Sequence, residues 1–252
     1  MMKTLSDEEW LRYNRQIVLR PFDIDGQEAL KNAAVLVIGA GGLGCAAAQY
    51  LAVAGVGRIT LVDDDLVELS NLQRQVLHQD ADLGRPKVDS AADSLRAANP
   101  WLEVVTHQAR ADETLLHTLI PQHQLVLDGT DNLATRQRVN RCCFEAKVPL
   151  VSAAVIRMEG QLAVFTYHRD EACYACLSRL MGDAVLSCVE AGVLAPMVGV
   201  MGSLQALEAV KLLAGGIGRS PRGRLLLVDG LHLSTRELGL PKAPDCPVCG
   251  GR

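Results

Sequence analysis

The sequence predicts an α/β fold: a doubly wound, mostly parallel, Rossmann-like sheet with an antiparallel extension near the C-terminus. Short apolar runs alternate with helix-length segments up to about residue 155, as in a parallel sheet covered by helices on both faces. The first run, Val35–Ile38, leads directly into a glycine-rich turn at residues 39–44. Later, Gln161–Tyr167 alternates in the way that is typical of an antiparallel or exposed strand.

The individual elements follow from local signals. Ser6 and Glu9 have the spacing of a capping box, which predicts a first helix running to about Leu19. Asn99 precedes a proline and should end a helix, because the residue before proline avoids helical geometry. The other predicted strands are 58–62, 102–106, 125–128, 150–154 and 224–229; the predicted helices are 43–54, 87–98, 112–120, 131–146 and 196–214, and residues 173–179 are predicted to be a loop.

Composition excludes several classes of function. The net charge of −4 and the aromatic content of 4% argue against nucleic-acid binding, which needs a basic surface or stacking aromatic residues. The N-terminus is acidic where a secretion leader would turn apolar, and the longest uncharged stretch, 191–207, is interrupted by proline and glycine, so we expect no membrane segment. Eight cysteines in such a chain indicate reduced thiols or metal ligands in the cytoplasm rather than disulfides.

Two Cys-x-x-Cys pairs supply the four thiolates of a structural zinc site. Since sulfur would fill every ligand position, no water could bind, and the site would clamp the C-terminal tail onto a distant loop. Two unrelated pairs, or one redox pair, are the alternatives, although a redox pair normally opens a helix in a thioredoxin-like unit. The predicted zinc ligands are Cys173, Cys176, Cys246 and Cys249.

The glycine turn and the acidic residue after the second strand predict a bound nucleotide. Asp63 ends the run Ile59–Val62, the position from which a carboxylate reaches the hydroxyls of a ribose. The turn and Asp63 fit NAD or FAD as well as ATP, so an NAD-dependent oxidoreductase is one alternative.

Charged residues at the same predicted sheet edge favour a triphosphate. Arg74 and Lys87 would neutralise phosphates, and Asp131 would hold Mg²⁺, which prefers oxygen ligands. A dinucleotide needs less charge, because a helix N-terminus and backbone amides satisfy its two phosphates. The alternative is that Asp131 only caps the helix that follows it, while Arg74 and Lys87 are solvated surface charges.

Several short strings spread over essentially the whole chain are more specific than the glycine turn: RYNRQ at 12–16, SNLQRQ at 70–75, RPK at 85–87 and DGTDN at 128–132. With the two cysteine pairs they resemble the ubiquitin-activating-type (MoeB/ThiF/HesA) adenylyltransferase family. The strings RMEGQ at 157–161 and CVEAG at 188–192 look more like its molybdopterin-synthase branch than its thiamine branch.

The resemblance implies a homodimer that uses MgATP to adenylate the C-terminal glycine carboxylate of a small ubiquitin-fold sulfur carrier ending in Gly-Gly, with release of pyrophosphate. The molybdopterin branch acts on the small subunit of molybdopterin synthase in molybdenum cofactor biosynthesis; the thiamine-pathway carrier is the alternative. One domain, 1–252, is expected, with a nucleotide-binding half at 1–155 and a carrier- and zinc-binding half at 156–252. Because the chain ends shortly after Cys249, we expect a separate protein as sulfur donor.

The resemblance also implies roles for single residues. Arg15 would reach into the neighbouring subunit's site and act there with Arg74, Lys87 and Asp131 in catalysis. Without the resemblance, Arg15 is an ordinary charge on an amphipathic first helix. The implied nucleotide-binding residues are Gly39, Gly41, Gly42, Gly44, Asp63, Asn71, Gln73, Arg74, Lys87, Asp131 and Asn132.

The remaining cysteines have weaker predictions. Cys188 could form a thioester or persulfide with the activated tail; the alternative, which we favour because adenylation needs no thiol, is a loop cysteine without a chemical role. Cys45, Cys142 and Cys143 lie on predicted helices and are expected to be small core residues. A non-catalytic, zinc-clamped binding protein is a further alternative. The presence of all the predicted catalytic charges argues against it.

Overall fold

The computed structural model describes residues 3–181 and 191–251, in which helices flank one mixed sheet of eight strands. The strands are β1 (Ala34–Ile38), β2 (Arg58–Val62), β3 (Glu103–His107), β4 (Leu125–Asp128), β5 (Leu150–Ile156), β6 (Glu159–Phe165), β7 (Arg224–Asp229) and β8 (Ser234–Gly239). The described helices are α1 (Asp7–Ile17), α2 (Asp23–Lys31), α3 (Gly42–Ala54), α4 (Lys87–Ala98), α5 (Glu113–Leu119), α6 (Leu133–Ala146), α7 (Tyr174–Met181) and α8 (Ala195–Leu213).

The strand order is β3-β2-β1-β4-β5-β6-β7-β8. Strands β1 to β5 run parallel, and β6, β7 and β8 are added in antiparallel orientation. The chain builds outward from β1 on one side and then returns to place β4 on the other side, so a crevice opens where β1 and β4 end. This arrangement confirms the predicted fold class with its antiparallel extension. Pairing of β5 with β6 carries the sheet without a break past residue 155.

Most predicted elements lie within two residues of the observed ones. The Ser6 hydroxyl accepts a hydrogen bond from the Glu9 amide at 3.3 Å, and the Glu9 carboxylate accepts one from the Ser6 amide at 2.8 Å, so the predicted capping box begins α1. Helix α4 has the predicted bounds, and Asn99, before the proline, is its C-cap.

Three elements differ from the prediction. Helix α7 replaces the loop predicted at 173–179, because a helical turn brings Cys173 and Cys176 to the same side of the chain. Helix α2 contains Gly26, a weak helix former, and was not predicted. Strand β8 was also missed: all its side chains are exposed, so it has no apolar periodicity, and pairing with β7 defines it.

Two apolar layers cover the sheet. Helices α2, α3, α4 and α8 pack on one face, and α5, α6, α7 and the C-terminal tail pack on the other. The α3–α8 contact is close because α8 presents a glycine to α3: a Cβ on Gly202 would lie 2.7 Å from the Leu43 carbonyl oxygen and 2.7 Å from the Ala46 Cβ. None of the described helices is long and apolar enough to cross a membrane.

The close α3–α8 contact predicts an asymmetry between two glycines of α8. Gly202→Ala should lower the free energy of unfolding by about 1–3 kcal/mol, because the new methyl group overpacks the contact. Gly199→Ala is the matched control: a Cβ there meets nothing within 4 Å, and alanine is the better helix former, so stability should rise slightly. Urea unfolding at one protein concentration measures both. Equal effects of the two substitutions would contradict this packing.

Candidate nucleotide and zinc sites

The glycine turn after β1 and the loop after β4 meet at the crevice. Gly39 has φ +93°, and a Cβ there would lie 3.1 Å from the carbonyl oxygen of Gly129. Gly44 approaches the turn so closely that a Cβ would lie 1.8 Å from the Gly39 carbonyl oxygen. Only glycine fits these positions, and the turn leads into the N-terminus of α3, where backbone N–H groups favour phosphate.

Asp63 fastens the end of β2 to this turn. One carboxylate oxygen accepts a hydrogen bond from the Ala40 amide at 2.7 Å, and the other accepts one from the Asp65 amide at 2.8 Å. Burial raises the pKa of Asp63, while these amides and the nearby Lys87 ammonium oppose the rise. Each oxygen retains a further lone pair, so Asp63 can still accept hydrogen bonds from a ribose.

Lys87 is buried at the first turn of α4, and its ammonium lies 2.7 Å from a carboxylate oxygen of Asp65. The Lys87 side chain is 7% exposed and that of Asp65 is 64% exposed, so the alternative of a solvated lysine is wrong. Arg74 is half-buried, and its guanidinium donates to the Ser70 carbonyl oxygen at 3.0 Å. Among the described residues Arg74 has no carboxylate partner, which leaves its charge available to a ligand.

Asp131 is exposed in the loop after β4, with no hydrogen bond or ion pair to another described residue. The residue that caps α6 is Asn132, whose side-chain oxygen accepts from the Thr135 amide at 2.9 Å. The capping alternative for Asp131 is therefore wrong, and its carboxylate is free to hold a cation. The side-chain oxygen of Asn132, by contrast, already has a structural partner.

A buried network that the sequence did not predict holds this loop. The Asp128 carboxylate accepts from the Thr130 amide at 3.0 Å and from the Thr130 hydroxyl at 2.7 Å. Arg136 donates to the carbonyl oxygens of Thr130 and Ala153. Gln205 of α8 donates to the Asp128 carbonyl oxygen at 2.9 Å. The only sequence signal for this network was the DGTDN string itself.

The loop between β2 and α4 contributes side-chain amides that differ in their exposure to solvent. Asn71 is buried, and its side-chain oxygen accepts from the Glu68 amide at 3.3 Å. Gln73 is exposed. Gln75, which we had not predicted to bind ligand, is 3% exposed, and its side-chain oxygen has no hydrogen-bond partner among the described residues. Its amide nitrogen would lie 3.7 Å from a Cβ on Gly41, so Gln75 faces the turn.

Arg15 does not join this cluster within one chain. It lies on the exposed side of α1, and its side chain makes no hydrogen bond or ion pair to another described residue. The same region exposes large apolar side chains: Leu11 is 82% exposed, Val18 63% and Leu19 56%.

The four predicted zinc ligands are buried and form one cluster, with all four sulfur atoms within 4.8 Å of one another. Two close sulfur contacts join one pair to the other: Cys173 to Cys246 at 3.7 Å and Cys176 to Cys249 at 3.4 Å. A tetrahedral zinc with Zn–S bonds of about 2.3 Å needs sulfur atoms about 3.8 Å apart. The arrangement therefore fits a zinc ion and joins the C-terminal tail to α7.

Neighbouring donors favour a thiolate at Cys246, whereas burial raises the pKa values of Cys173 and Cys249. Burial opposes ionisation of Cys246, but hydrogen bonds from the Cys249 and Val248 amides and from neighbouring thiols lower its pKa to about 7. The Asn140 side chain donates to the Cys173 sulfur at 3.6 Å, and the Ala243 amide donates to the Cys176 sulfur at 3.4 Å. Amide donors of this kind hold ligands in place in metal sites.

The remaining described cysteines are core residues, as expected. Burial raises the pKa of Cys45 to about 12 and that of Cys142 to about 11, and it raises the pKa of Cys143 well above its ordinary value. These thiols are protonated at neutral pH and unreactive. Cys188 lies outside the described residues.

Comparison with known proteins decides the family. The model of the ThiF family matches residues 13–248. The chain belongs to the ThiF family. It is 58% identical to the molybdopterin-synthase adenylyltransferase of Escherichia coli K12, over 99% of this chain and 100% of the relative. It is 45% identical to the sulfur carrier protein ThiS adenylyltransferase of the same organism, over 98% of each chain.

Solved structures agree on the fold. The crystal structure of E. coli MccB with succinimide has a TM-score of 0.83 at 24% sequence identity, covering 95% of this chain and 74% of that chain. At this identity the likeness shows the fold alone.

The sulfur geometry predicts that the four cysteines bind one zinc ion as a unit. Cys246→Ser should weaken zinc binding at least tenfold and lower the thermal midpoint by several degrees, because metal binding contributes to folding. Competition with a chelator measures the affinity, and metal analysis measures the stoichiometry. The matched control is Cys142→Ser, another buried cysteine outside the cluster, which should keep its zinc. A Cys246→Ser protein with unchanged zinc affinity would exclude this site.

Proposed function

We propose that this protein is the adenylyltransferase for a small ubiquitin-fold sulfur carrier, the small subunit of molybdopterin synthase, in molybdenum cofactor biosynthesis. It joins AMP to the C-terminal glycine carboxylate of the carrier and releases pyrophosphate from ATP. The observation that carries the proposal is 58% identity, over essentially the full length of both chains, to the molybdopterin-synthase adenylyltransferase of Escherichia coli K12. The crevice described above supports it, since it places charges suited to a triphosphate beside the glycine turn.

The thiamine-pathway carrier is the second candidate substrate. Identity to the ThiS adenylyltransferase is 45%, against 55–58% to three molybdopterin-synthase adenylyltransferases. An NAD-dependent oxidoreductase has no support from these relatives. We place the reaction in the cytoplasm, because the cysteine cluster requires reduced thiols.

The chemistry needs charge neutralisation rather than a general base. A C-terminal carboxylate has a pKa of about 3.3–3.7 and is already ionised at neutral pH. One of its oxygens attacks the α-phosphorus of ATP, the bond to the β-phosphate oxygen breaks, and pyrophosphate leaves. The attack brings two anions together. Lys87 and Arg74, with Arg15 of the partner subunit, would offset this repulsion and stabilise the charge that spreads over the phosphates.

Different residues of the crevice would bind different parts of the nucleotide. Asp63 would bind the ribose, and the glycine turn with the α3 N-terminus would bind phosphate oxygens. Asp131 would hold Mg²⁺, which would supply positive charge at the phosphates. Asn71 and Gln73 belong to the same loop, and Gln75 offers a buried amide oxygen that lacks a partner among the described residues.

We propose a homodimer because the Arg15 side chain makes no hydrogen bond or ion pair with the crevice residues of its own chain. Its helix α1 is hydrogen-bonded, through Tyr13 and Gln16, to Asn99 after α4 and to the C-terminus of α3. The apolar side chains exposed on α1 and just after it support an interface there, since a monomer gains nothing by exposing Leu11 and Leu19 to water. Within this scheme a separate protein supplies sulfur after adenylation. Cys188 has no assigned step.

The direct test is incubation with ATP and each candidate carrier, followed by intact-mass detection of the carrier adenylate. We expect a mass increase of one AMP on the molybdopterin-synthase small subunit and little on the thiamine-pathway carrier. ATP–pyrophosphate exchange that depends on the carrier gives a second readout. Exchange or adenylate found only with the thiamine-pathway carrier would transfer the enzyme to that pathway, and absence of both with either carrier would refute carrier adenylation.

Asp131→Asn should reduce carrier-dependent ATP–pyrophosphate exchange by at least about a hundredfold, because the neutral amide is a poor Mg²⁺ ligand. Raising the Mg²⁺ concentration should recover part of the loss. Asp89→Asn is the matched control, an exposed carboxylate on the first turn of α4, and should exchange at the wild-type rate. If Asp131→Asn exchanged normally at every Mg²⁺ concentration, Asp131 would not be a metal ligand.

If Arg15 acts in the site of the neighbouring subunit, two inactive variants should complement each other in a mixed dimer. Arg15→Ala and Lys87→Ala homodimers should each be nearly inactive. After random subunit exchange, about half of the dimers are mixed, and each mixed dimer has one site with both wild-type residues, so about a quarter of wild-type activity should return. If Arg15 acted within its own chain, every mixed site would still lack one residue and no activity would return.

A further inference from the structure

His78 occupies a buried position between the glycine turn and the helix that carries Lys87. Its side chain is almost inaccessible, with the residue 6% exposed. The Nε2 atom lies 3.0 Å from the carbonyl oxygen of Ala40, in the turn, and the Nδ1 atom lies 2.9 Å from the hydroxyl of Ser90, in α4. Ser90 is one helical turn after Lys87. One imidazole ring therefore links the two elements that surround the nucleotide phosphates in the proposed function.

The partners of the ring define its hydrogen bonds. A carbonyl oxygen only accepts, so Nε2 carries the proton and donates to Ala40. In the neutral ring Nδ1 faces the Ser90 hydroxyl as an acceptor, and the same hydroxyl also faces the Asp82 carboxylate. Burial lowers the pKa of His78, which keeps the ring neutral and consistent with this arrangement. The thiol of Cys45 donates to the same carbonyl oxygen at 3.3 Å. The charges of Asp63, Asp82 and Lys87 also act on the ring.

These bonds determine where the next amide points. In a planar trans peptide, the carbonyl of one residue and the N–H of the next point in opposite directions. His78 and Cys45 hold the Ala40 carbonyl toward the protein interior, so the N–H of Gly41 points away from them. Asp63 anchors the same residue from its other side by accepting from the Ala40 amide at 2.7 Å. The Gly41 N–H makes no hydrogen bond to another described residue, which leaves it for a ligand.

We infer that His78 is a positioning residue of the nucleotide site: its ring orients the Ala40–Gly41 peptide so that the Gly41 amide faces the phosphates, and through Ser90 it fixes the turn relative to Lys87. The inference rests on the proposed binding of ATP in this crevice. It assigns His78 no contact with ATP and no proton transfer. Its role should therefore appear in the affinity for phosphates and not in the affinity for the nucleoside.

The test compares MgATP with adenosine, measured by calorimetry. His78→Phe keeps a ring but removes both hydrogen bonds, and it should weaken MgATP binding about tenfold while changing adenosine binding less than about twofold. His78→Gln keeps an N–H that reaches the Ala40 carbonyl and should restore most of the lost affinity. Ser90→Ala removes the link to α4 and the contact of the same hydroxyl with Asp82, but it keeps the bond to Ala40, and it should give an intermediate loss. If His78→Phe fails to fold, the Ser90→Ala and His78→Gln proteins still decide the question.

His123 provides the matched control. It is also a buried histidine with two hydrogen bonds, one to the Leu119 carbonyl oxygen and one to the Thr60 hydroxyl, each at 2.7 Å. Burial lowers the pKa of His123 as well. His123→Phe should lower stability but leave the ratio of the two affinities unchanged. Equal weakening of MgATP and adenosine by His78→Phe, or unchanged binding of both, would overturn the positioning role.

A ligand-free readout separates this inference from the proposed function. In wild-type protein the Gly41 amide should be held in one orientation, and its backbone NMR resonance should shift or broaden in His78→Phe but not in His123→Phe. Wild-type protein that binds neither MgATP nor adenosine would refute the proposed function, while this resonance would still report whether His78 orients the peptide. An unchanged Gly41 resonance in His78→Phe would refute the inference.

Discussion

The contact between the glycine turn after β1 and the loop after β4 is the constraint on which the site depends. A Cβ on Gly39 would lie 3.1 Å from the Gly129 carbonyl oxygen, so the two loops touch backbone to backbone. From this contact α3 leaves toward one face of the sheet and α6 toward the other. Both helices therefore start at the crevice, with their N-terminal N–H groups beside it, and the crevice attracts anions before any charged side chain contributes. Helix α8 stabilises the loop after β4, because Gln205 donates a hydrogen bond to the Asp128 carbonyl oxygen.

Charge is distributed unevenly around this backbone frame. Lys87 is buried and paired with a largely exposed carboxylate, that of Asp65. A buried ammonium needs a partner, but an exposed carboxylate gives up its position at little cost, since water solvates it well. An incoming triphosphate can therefore replace Asp65 as the counter-charge. Asp131 is in the opposite situation, exposed and unpaired among the described residues, as a ligand for a hydrated cation should be.

Elements with local sequence signals were predicted correctly. Elements that form because of contacts between distant parts of the chain were missed. The capping box at Ser6 and the proline after Asn99 act on neighbouring residues, and α1 and α4 have nearly the predicted bounds. Strand β8 forms because it pairs with β7, and α7 forms where the cysteine cluster closes. Neither of these long-range contacts leaves a periodic pattern in the sequence. In the site, residue types and motifs predicted roles for Lys87 and Asp131. The structure then excluded the alternatives, a solvated surface charge for Lys87 and a helix cap for Asp131. The sequence could not show that Asn132, one position on, caps α6, nor that His78 joins two distant segments.

The crevice lies at the start of helix α6, and the cysteine cluster contacts the middle of the same helix. Helix α6 begins at the loop that contains Asp131, and Asn140 lies about 10 Å further along its axis. In its second half, Asn140 is fully buried: its amide donates to the Cys173 sulfur, and its carbonyl oxygen accepts from the Tyr174 amide at 2.9 Å. Near its start, Arg136 bonds the Thr130 carbonyl oxygen. A disturbance of the sulfur cluster thus acts on the same rigid element that positions the Asp131 loop, and a clamp distant from the chemistry still constrains the geometry of the crevice.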